Sequence, residues 1–291
     1  MPDAAFRSAV EAALDGAGGD WRHVGATGWG DAWSLALAKG RCFIKVVRGE
    51  RAGMLAGEAD GLRALAETGT VRVPAVYAEG IVEDTAYLVL EWLDLHDIDD
   101  QARLGRALAA LHDAETPSGP QGERFGWHRD NWIGGTPQQN RWSDDWPAFF
   151  RDARLAPQLL RAFRNGFRDL EHDARRLLAR LPELLGGREI VPSLVHGDLW
   201  SGNAASLAGG EPVVFDPAVY IGDREVDLAM SELFGGFGAV FRSGYESVSR
   251  VESGYARRRD VYNLYHLLNH LNLFGGSYLA RTARTLARLV A

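Results

Sequence analysis

One cysteine in 291 residues, Cys42, has no partner in the chain. An internal disulfide framework is excluded, and a reducing, cytoplasmic setting is expected. Cys42 sits in the apolar run Cys42–Val47 (CFIKVV), the setting of a small buried residue rather than a redox switch. No apolar stretch approaches the length needed to cross a bilayer. The first residues, Met1–Leu14, have an amphipathic period but neither a basic start nor a cleavage site, so no secretory signal is expected. Excess positive charge is also missing. A net charge of −7 argues against a general nucleic-acid binder, which needs dense basic patches. It leaves room for a nucleotide held by local cations and metal. Repeats and low-complexity tracts are absent. What is present, 46% hydrophobic and 24% charged residues, is the makeup of an ordinary globular protein with room for two lobes. An acidic surface is compatible with a monomer.

The pattern changes near residue 92. Before it, short strand-like runs surround one helical segment, which reads as a small antiparallel-sheet lobe with one main helix. Residues 32–38 and 41–47 flank Lys39–Gly40, a hairpin turn. Residues 50–67 carry Met54, Leu55, Leu62 and Leu65 at helical spacing, with Gly69 placed to cap the end. Residues 73–81 and 86–91 read as two further strands. After Trp92 the pattern is mostly helical, over 98–114, 146–165, 167–181 and 255–273, interrupted by a strand pair around Asn203 and Val214. Residues 119–140 read as a long polar loop with several aromatics, of the kind that usually has a function. The expectation is an α+β chain with a nucleotide-binding lobe over 1–91, a hinge at 92–94 and a larger, mostly helical lobe over 95–291.

Two motifs carry the chemistry. VHGDLWSGN (Val195–Asn203) places a His-Gly-Asp turn ahead of an Asn, and VVFDP (Val213–Pro217) ends a short apolar strand on Asp216. Protein kinases arrange a catalytic Asp, a metal-binding Asn and a metal-binding Asp in this way. Phosphoryl transfer needs an oriented hydroxyl and cations on the phosphates. Asp198 can accept the hydroxyl's hydrogen bond, while Asn203 and Asp216 offer Mg²⁺ the hard oxygen ligands it prefers. His196 reads as a residue that locks the turn. Lys45, inside an apolar strand, is costly unless paired, and suits ATP phosphates with Glu58 as partner or Glu50 as runner-up. Gly25–Asp31 (GATGWGD) puts Gly28 and Gly30 where backbone N–H groups can approach phosphate. Glu91, Trp92 and Leu93 fall at the hinge, where backbone groups can meet an adenine edge.

Other polar residues are candidates for the acceptor side. Trp200 can stack on a sugar or cover the site. Asp223 follows closely after Asp216, although a buried pair with an Arg is the alternative. Asp227 reads as a helix cap or an internal salt-bridge partner. Asp130 and Asn131, in the aromatic-rich loop, complete the set. His112 reads as a helix-terminal packing residue.

The phrases FGWHRDNWIGGTPQQN (Phe125–Asn140), DWPAFFRDARLAPQ (Asp145–Gln158), HGDLWSGN (His196–Asn203) and FDPAVYIGDREVDLAM (Phe215–Met230) resemble the fructosamine kinase, or ketosamine kinase, family in order along nearly the whole chain. The wording around Tyr220–Asp227 separates it from aminoglycoside and choline kinases, which share the HGD, Asn and later Asp. The resemblance implies a two-lobed protein-kinase-like fold and ATP-dependent phosphorylation of the 3-hydroxyl of ketosamines, adducts of fructose- or ribulose-type sugars with amines or protein lysines. By matching position it implies Asp198 as base, Asn203 and Asp216 as metal ligands, and Lys45 with Glu58 at ATP. The glycine-rich loop departs from the family pattern. Relatives commonly carry Gly-Gly-Ser or Gly-Gly-Cys there, and this chain has Thr27-Gly28-Trp29-Gly30-Asp31.

Overall fold

Strand alternation decides the first third of the chain. In the computed structural model, which describes residues 2–16, 19–37 and 40–291, helix α1 (Ala4–Ala12) is capped by Asp3, whose carboxylate accepts the Phe6 N–H at 2.8 Å. Strands β1 (Asp20–Ala26), β2 (Asp31–Leu37) and β3 (Gly40–Arg48) follow, then helix α2 (Gly53–Glu67) and strands β4 (Val76–Val82) and β5 (Thr85–Glu91). The five strands form one antiparallel sheet in the order β1-β2-β3-β5-β4. On β3, successive side chains leave opposite faces. Cys42, Ile44 and Val46 join Phe6, Val10 and Trp33 in one small core, so Cys42 is fully buried. Lys45 therefore points to the other face, the one that α2 covers. Ala38 and Lys39, the end of one expected strand and half of the expected turn, lie outside the described residues.

Helix α2 starts later than its apolar spacing suggests. Residues Gly49–Arg51 form a separate 3₁₀ turn, and Gly69 closes the far end at φ +63° with its N–H on the Ala66 carbonyl at 3.0 Å. Gly57 and Gly61 lie on the inner face, where an added Cβ would come within 3.1 Å of the Asn131 side chain and 3.2 Å of Pro217 and Val219. Those two glycines let α2 lie close to the rest of the molecule.

The remaining elements are α3 (Gln101–His112), β6 (Asn131–Ile133), β7 (Thr136–Gln138), α4 (Trp146–Phe149), α5 (Ala156–Arg164), α6 (Glu171–Leu185), β8 (Pro192–Val195), β9 (Ala204–Ser206), β10 (Pro212–Val214), β11 (Tyr220–Asp223), α7 (Glu225–Leu233), α8 (Ala239–Glu246), α9 (Tyr255–Phe274) and α10 (Leu279–Val290). The chain is α+β, with its sheet first and its helices after. Helix α9 is buried along most of its length, through residues such as Val261, Leu264, Leu268 and Leu271, and is the central helix of this part. None of the helices among the described residues is long and apolar enough to cross a membrane. A backbone bond joins the two parts, the Val214 N–H meeting the Arg72 carbonyl at 3.0 Å, and His96, just past the expected hinge, exchanges bonds of 2.8 and 2.9 Å with Ser206.

Two expectations are corrected. The polar segment 119–140 is not wholly loop, because β6 and β7 pair as a hairpin inside it. The stretch 146–165 is not one helix: residues Phe150–Leu155 form a π turn between α4 and α5. Pro157 has no N–H to offer the carbonyl four residues back, and the guanidinium of buried Arg154 takes that Ala153 oxygen at 3.0 Å.

Helices α3 and α8 touch through backbone. A Cβ on Gly105 would lie 2.2 Å from the Phe241 carbonyl oxygen and 2.7 Å from the Tyr245 nitrogen, neither of which can rotate away. Gly105→Ala is expected to cost about 1–3 kcal/mol, read as a lower midpoint in urea at unchanged slope. Gly53→Ala, into open space at the start of α2, is the control and is expected to be neutral or stabilising.

Candidate active site

The site is built on the turn that ends β8. Gly197 there has φ +80°, and a Cβ on it would lie 2.2 Å from the Ala218 carbonyl oxygen, so only glycine fits. Burial lowers the pKa of His196, which leaves the ring neutral. Its Nε2 lies 3.0 Å from the Phe215 carbonyl and its Nδ1 accepts the Asp198 N–H at 3.3 Å. These partners assign the proton to Nε2. Beneath the turn, Asp227 of α7 accepts the N–H groups of His196 at 2.7 Å and Gly197 at 2.9 Å, and lies 3.2 Å from His112 Nε2. Burial alone would raise the Asp227 carboxyl. Its bonds to His112 and Gly197 and the nearby imidazoles hold it below its ordinary value.

Asp198 projects from this turn with its side chain one-fifth exposed, at 20%. Burial, then the charge of Asp216, pushes its carboxyl up to about 7, against the hydrogen bond from Asn203. The Asn203 amide donates to the Asp198 carbonyl at 2.9 Å and to its carboxylate at 3.3 Å. Its Oδ1 accepts no hydrogen bond among the described residues. Asp216 follows β10 in a left-handed conformation at φ +56°, which aims its half-exposed carboxylate at Lys45 Nζ. Lys45 also binds Glu58 Oε1 of α2 at 2.6 Å, so Glu58 and not Glu50 is its partner. Burial works against the Lys45 charge, but the carboxylates of Asp216 and Glu58 outweigh it and hold the ammonium above its ordinary range.

Two cavities meet at this ion cluster. One, of about 270 Å³, is bordered by Asp198, Asn203, Asp216, Lys45, Glu58 and Trp200. The other, of about 390 Å³ and more apolar, is bordered by Phe43, Leu90, Glu91, Trp92, Leu93 and Phe215. Thr27, Gly28, Lys45 and Asp216 border both. The Glu91 side chain is committed to Arg72, at 2.5 Å, and its N–H to the Ala75 carbonyl. No cluster of three or more His, Cys, Asp or Glu side chains fit to hold a metal occurs among the described residues. The oxygens available to a cation are those of Asn203 and Asp216, which suits a hard ion that takes its other ligands from phosphate and water.

Four expected site residues stand elsewhere. Gly30 borders neither cavity; a Cβ on it would lie 2.0 Å from the Val46 carbonyl oxygen, so it is glycine for strand packing. Asn131 is buried and bridges the Val219 carbonyl, Gln138 and Asn140. Asp130 is on the surface, with its carboxylate on the Asn140 N–H at 2.8 Å. Asp223 is 1% exposed and paired with Arg188, and it accepts from Tyr262 at 2.5 Å. The register explains its position. β11 runs antiparallel to β8, so Asp223 faces Pro192, at the opposite end of the pair from His196.

Sequence reasoning missed Trp29, Trp132, His270 and Phe274, all of which border the Asp198 cavity. It also missed buried His266, whose Nδ1 lies 3.9 Å from Asp198 Oδ1 and whose pKa burial lowers to about 3. His266, His270 and Phe274 are spaced to share one face of α9, a stripe hidden by the apolar residues on the others.

The family model for fructosamine kinase matches residues 18–291. The chain belongs to the fructosamine kinase family. It is 48% identical over 248 residues to a probable ketoamine kinase of Synechocystis sp., covering 84% of this chain and 82% of that one. It is 42% identical over 243 residues to the chloroplastic protein-ribulosamine 3-kinase of Arabidopsis thaliana, covering 82% and 73%. Among solved structures it resembles one from Haemophilus somnus provisionally named a fructosamine-3-kinase, with TM-score 0.87, 28% identity and coverage of 98% and 96%. An aminoglycoside phosphotransferase bound to ADP and hygromycin B shares the fold, with TM-score 0.70, 16% identity and coverage of 98% of each chain. The protein-kinase-like fold implied by the sequence is the one observed, and the chain is a kinase that uses ATP.

Asp227 gives this site its first test. Asp227→Asn removes a buried charge from two backbone donors and is expected to cost about 3–5 kcal/mol in chemical denaturation, as breaking a buried pair does. A carboxyl held below its ordinary 3.8 stabilises the fold above that pH and loses this as pH falls through its lower native value. The wild type should therefore shed the advantage only below about pH 4, and the variant's stability should fall less steeply there.

Proposed function

We propose that this kinase transfers the γ-phosphoryl group of ATP to the 3-hydroxyl of ketosamines, including fructosamine and ribulosamine adducts of amines or protein lysines. The observation that carries this reading is the convergence of Asp198, Asn203, Asp216 and Lys45 on one junction between two cavities, in a chain of the fructosamine kinase family. The apolar cavity takes the adenine, whose edge meets backbone groups of the Glu91–Leu93 segment. The phosphates lie at the junction, beside the Gly28 backbone and the Lys45 ammonium that Glu58 steadies. The acceptor enters the Asp198 side. The N-terminal lobe over 1–91, the hinge at 92–94 and the lobe over 95–291 are the bodies that frame this cleft.

Asp198 accepts the hydrogen bond of the attacking hydroxyl and holds its oxygen toward the phosphorus. As the new O–P bond forms, the bond from the γ-phosphorus to the β–γ bridging oxygen breaks, ADP leaves with that electron pair, and the hydroxyl proton passes to an Asp198 oxygen. Asn203 fixes the Asp198 side chain from its amide nitrogen and presents its amide oxygen, with Asp216, to Mg²⁺. When bound, Mg²⁺ neutralises charge on the phosphates. The protonated amine of a ketosamine suits the exposed face of Trp200 in this acidic setting. Trp200 is 38% exposed, and its ring is braced edge-on by Phe234. The single buried Cys42 and the acidic surface fit a cytoplasmic enzyme that works as a monomer, without nucleic acid.

The test is ATP consumption with Mg²⁺ and ribulosamine or fructosamine adducts of lysine, beside kanamycin and choline. Turnover is expected with the ketosamines. Turnover with kanamycin or choline alone would move the protein to the aminoglycoside- or choline-type kinases. Asp198→Ala is expected to lower kcat by about 10²–10⁴ while nucleotide binding persists; an unchanged kcat would remove Asp198 from the reaction.

A further inference from the structure

The glycine-rich loop bears an indole at a position where contact with phosphate needs only backbone. Thr27 and Gly28 border both cavities, whereas Trp29 borders only the one that contains Asp198. The loop thus faces the junction with its backbone and the acceptor side with its side chain.

Three contacts set the Trp29 ring. It stacks on Phe274 at the end of α9, with centroids 6.5 Å apart and planes at 25°. It covers the turn between β6 and β7, where a Cβ on Gly135 would come within 2.7 Å of the ring. Arg51 lies over it, 4.9 Å from the ring centroid. The first two partners belong to the C-terminal part of the chain, so a side chain of the β1–β2 loop closes a cavity that α9 borders on the far side. Of the other aromatic residues, Trp200, His270 and Phe274 border the same cavity; Phe234, which does not, links Trp200 to His270 at 4.7 Å, and His270 lies 5.4 Å from Phe274, so the three form one aromatic wall. With phosphates at the Lys45 junction, an acceptor whose hydroxyl meets Asp198 extends away from them, along this wall toward Trp29.

We infer that Trp29 is a specificity-determining residue: stacked on Phe274, it forms the outer wall of the acceptor site and limits the size of the substituent on the ketosamine amine. The inference rests on the ketosamine reading above. The wall favours adducts of small free amines over adducts on the lysines of folded proteins.

The experiment compares kcat/KM for a methylamine ketosamine and for a ketosamine on the lysines of a folded protein, with the KM for ATP measured alongside. In Trp29→Ala the ratio of large to small acceptor is expected to rise about tenfold, with the KM for ATP within about twofold of wild type. Phe274→Ala, which removes the stacking partner from the other side, should shift the ratio the same way, and Trp29→Phe should keep it near wild type. An unchanged ratio in both alanine variants overturns the inference, as does a rise in the KM for ATP as large as any change in the acceptor terms. A wild-type enzyme inert on both adducts overturns the ketosamine reading and the inference with it. An active wild type with an unmoved ratio overturns the inference alone.

Discussion

A buried carboxylate holds this active site together. Asp227 has no exposure and sits under the His196–Gly197 turn, taking two backbone N–H groups that no strand partner could reach. Leaving those donors bare inside the protein would cost more than a typical hydrogen bond gains. The third contact, to His112, ties the turn to α3, and His112 continues to Tyr245 of α8 at 2.9 Å. Three helices and one strand end thus meet at a single charge. The position of Asp198 in the cleft is inherited from that meeting, and so is the path of the chain through Asn203.

The second organising element is the Lys45 cluster, which joins the sheet, α2 and the residue after β10. Opposite charges in a half-buried space attract strongly, but each has given up water, so the gain depends on all three being in place. Two carboxylates around one ammonium outweigh its burial cost and hold the three side chains in fixed relation.

Much of this was legible because it rests on local rules. The alternation of β3 aims Lys45 away from the small core, and the spacing of Asp198, Asn203 and Asp216 survives folding because a tight turn and a short hairpin separate them. What was not legible depends on register and on distant packing. Asp223 is near Asp216 in sequence, but an antiparallel pairing carries it to the far end of β8. Asn131 looks like a polar loop residue, yet the close approach of α2 at Gly57 buries it as a bridge. His270 and Phe274 reach the Asp198 cavity from α9, where apolar residues on every face conceal which one meets it. The π turn at Phe150 is set by Pro157 acting with Arg154, a pairing visible only once Gln139 and Asn140 lie beside them.

Lys39 and Lys45 are the only lysines in the chain; its other side-chain cations, histidine apart, are arginines. Reducing sugars condense with amines through the unprotonated nitrogen, whose lone pair attacks the carbonyl carbon. At Lys45 two carboxylates keep that lone pair occupied by a proton, and with 12% side-chain exposure little of the amine is open to solution. The ion pairs that fix this residue in the site also make it a poor nucleophile. A kinase of sugar–amine adducts thereby keeps its own functional amine from becoming one.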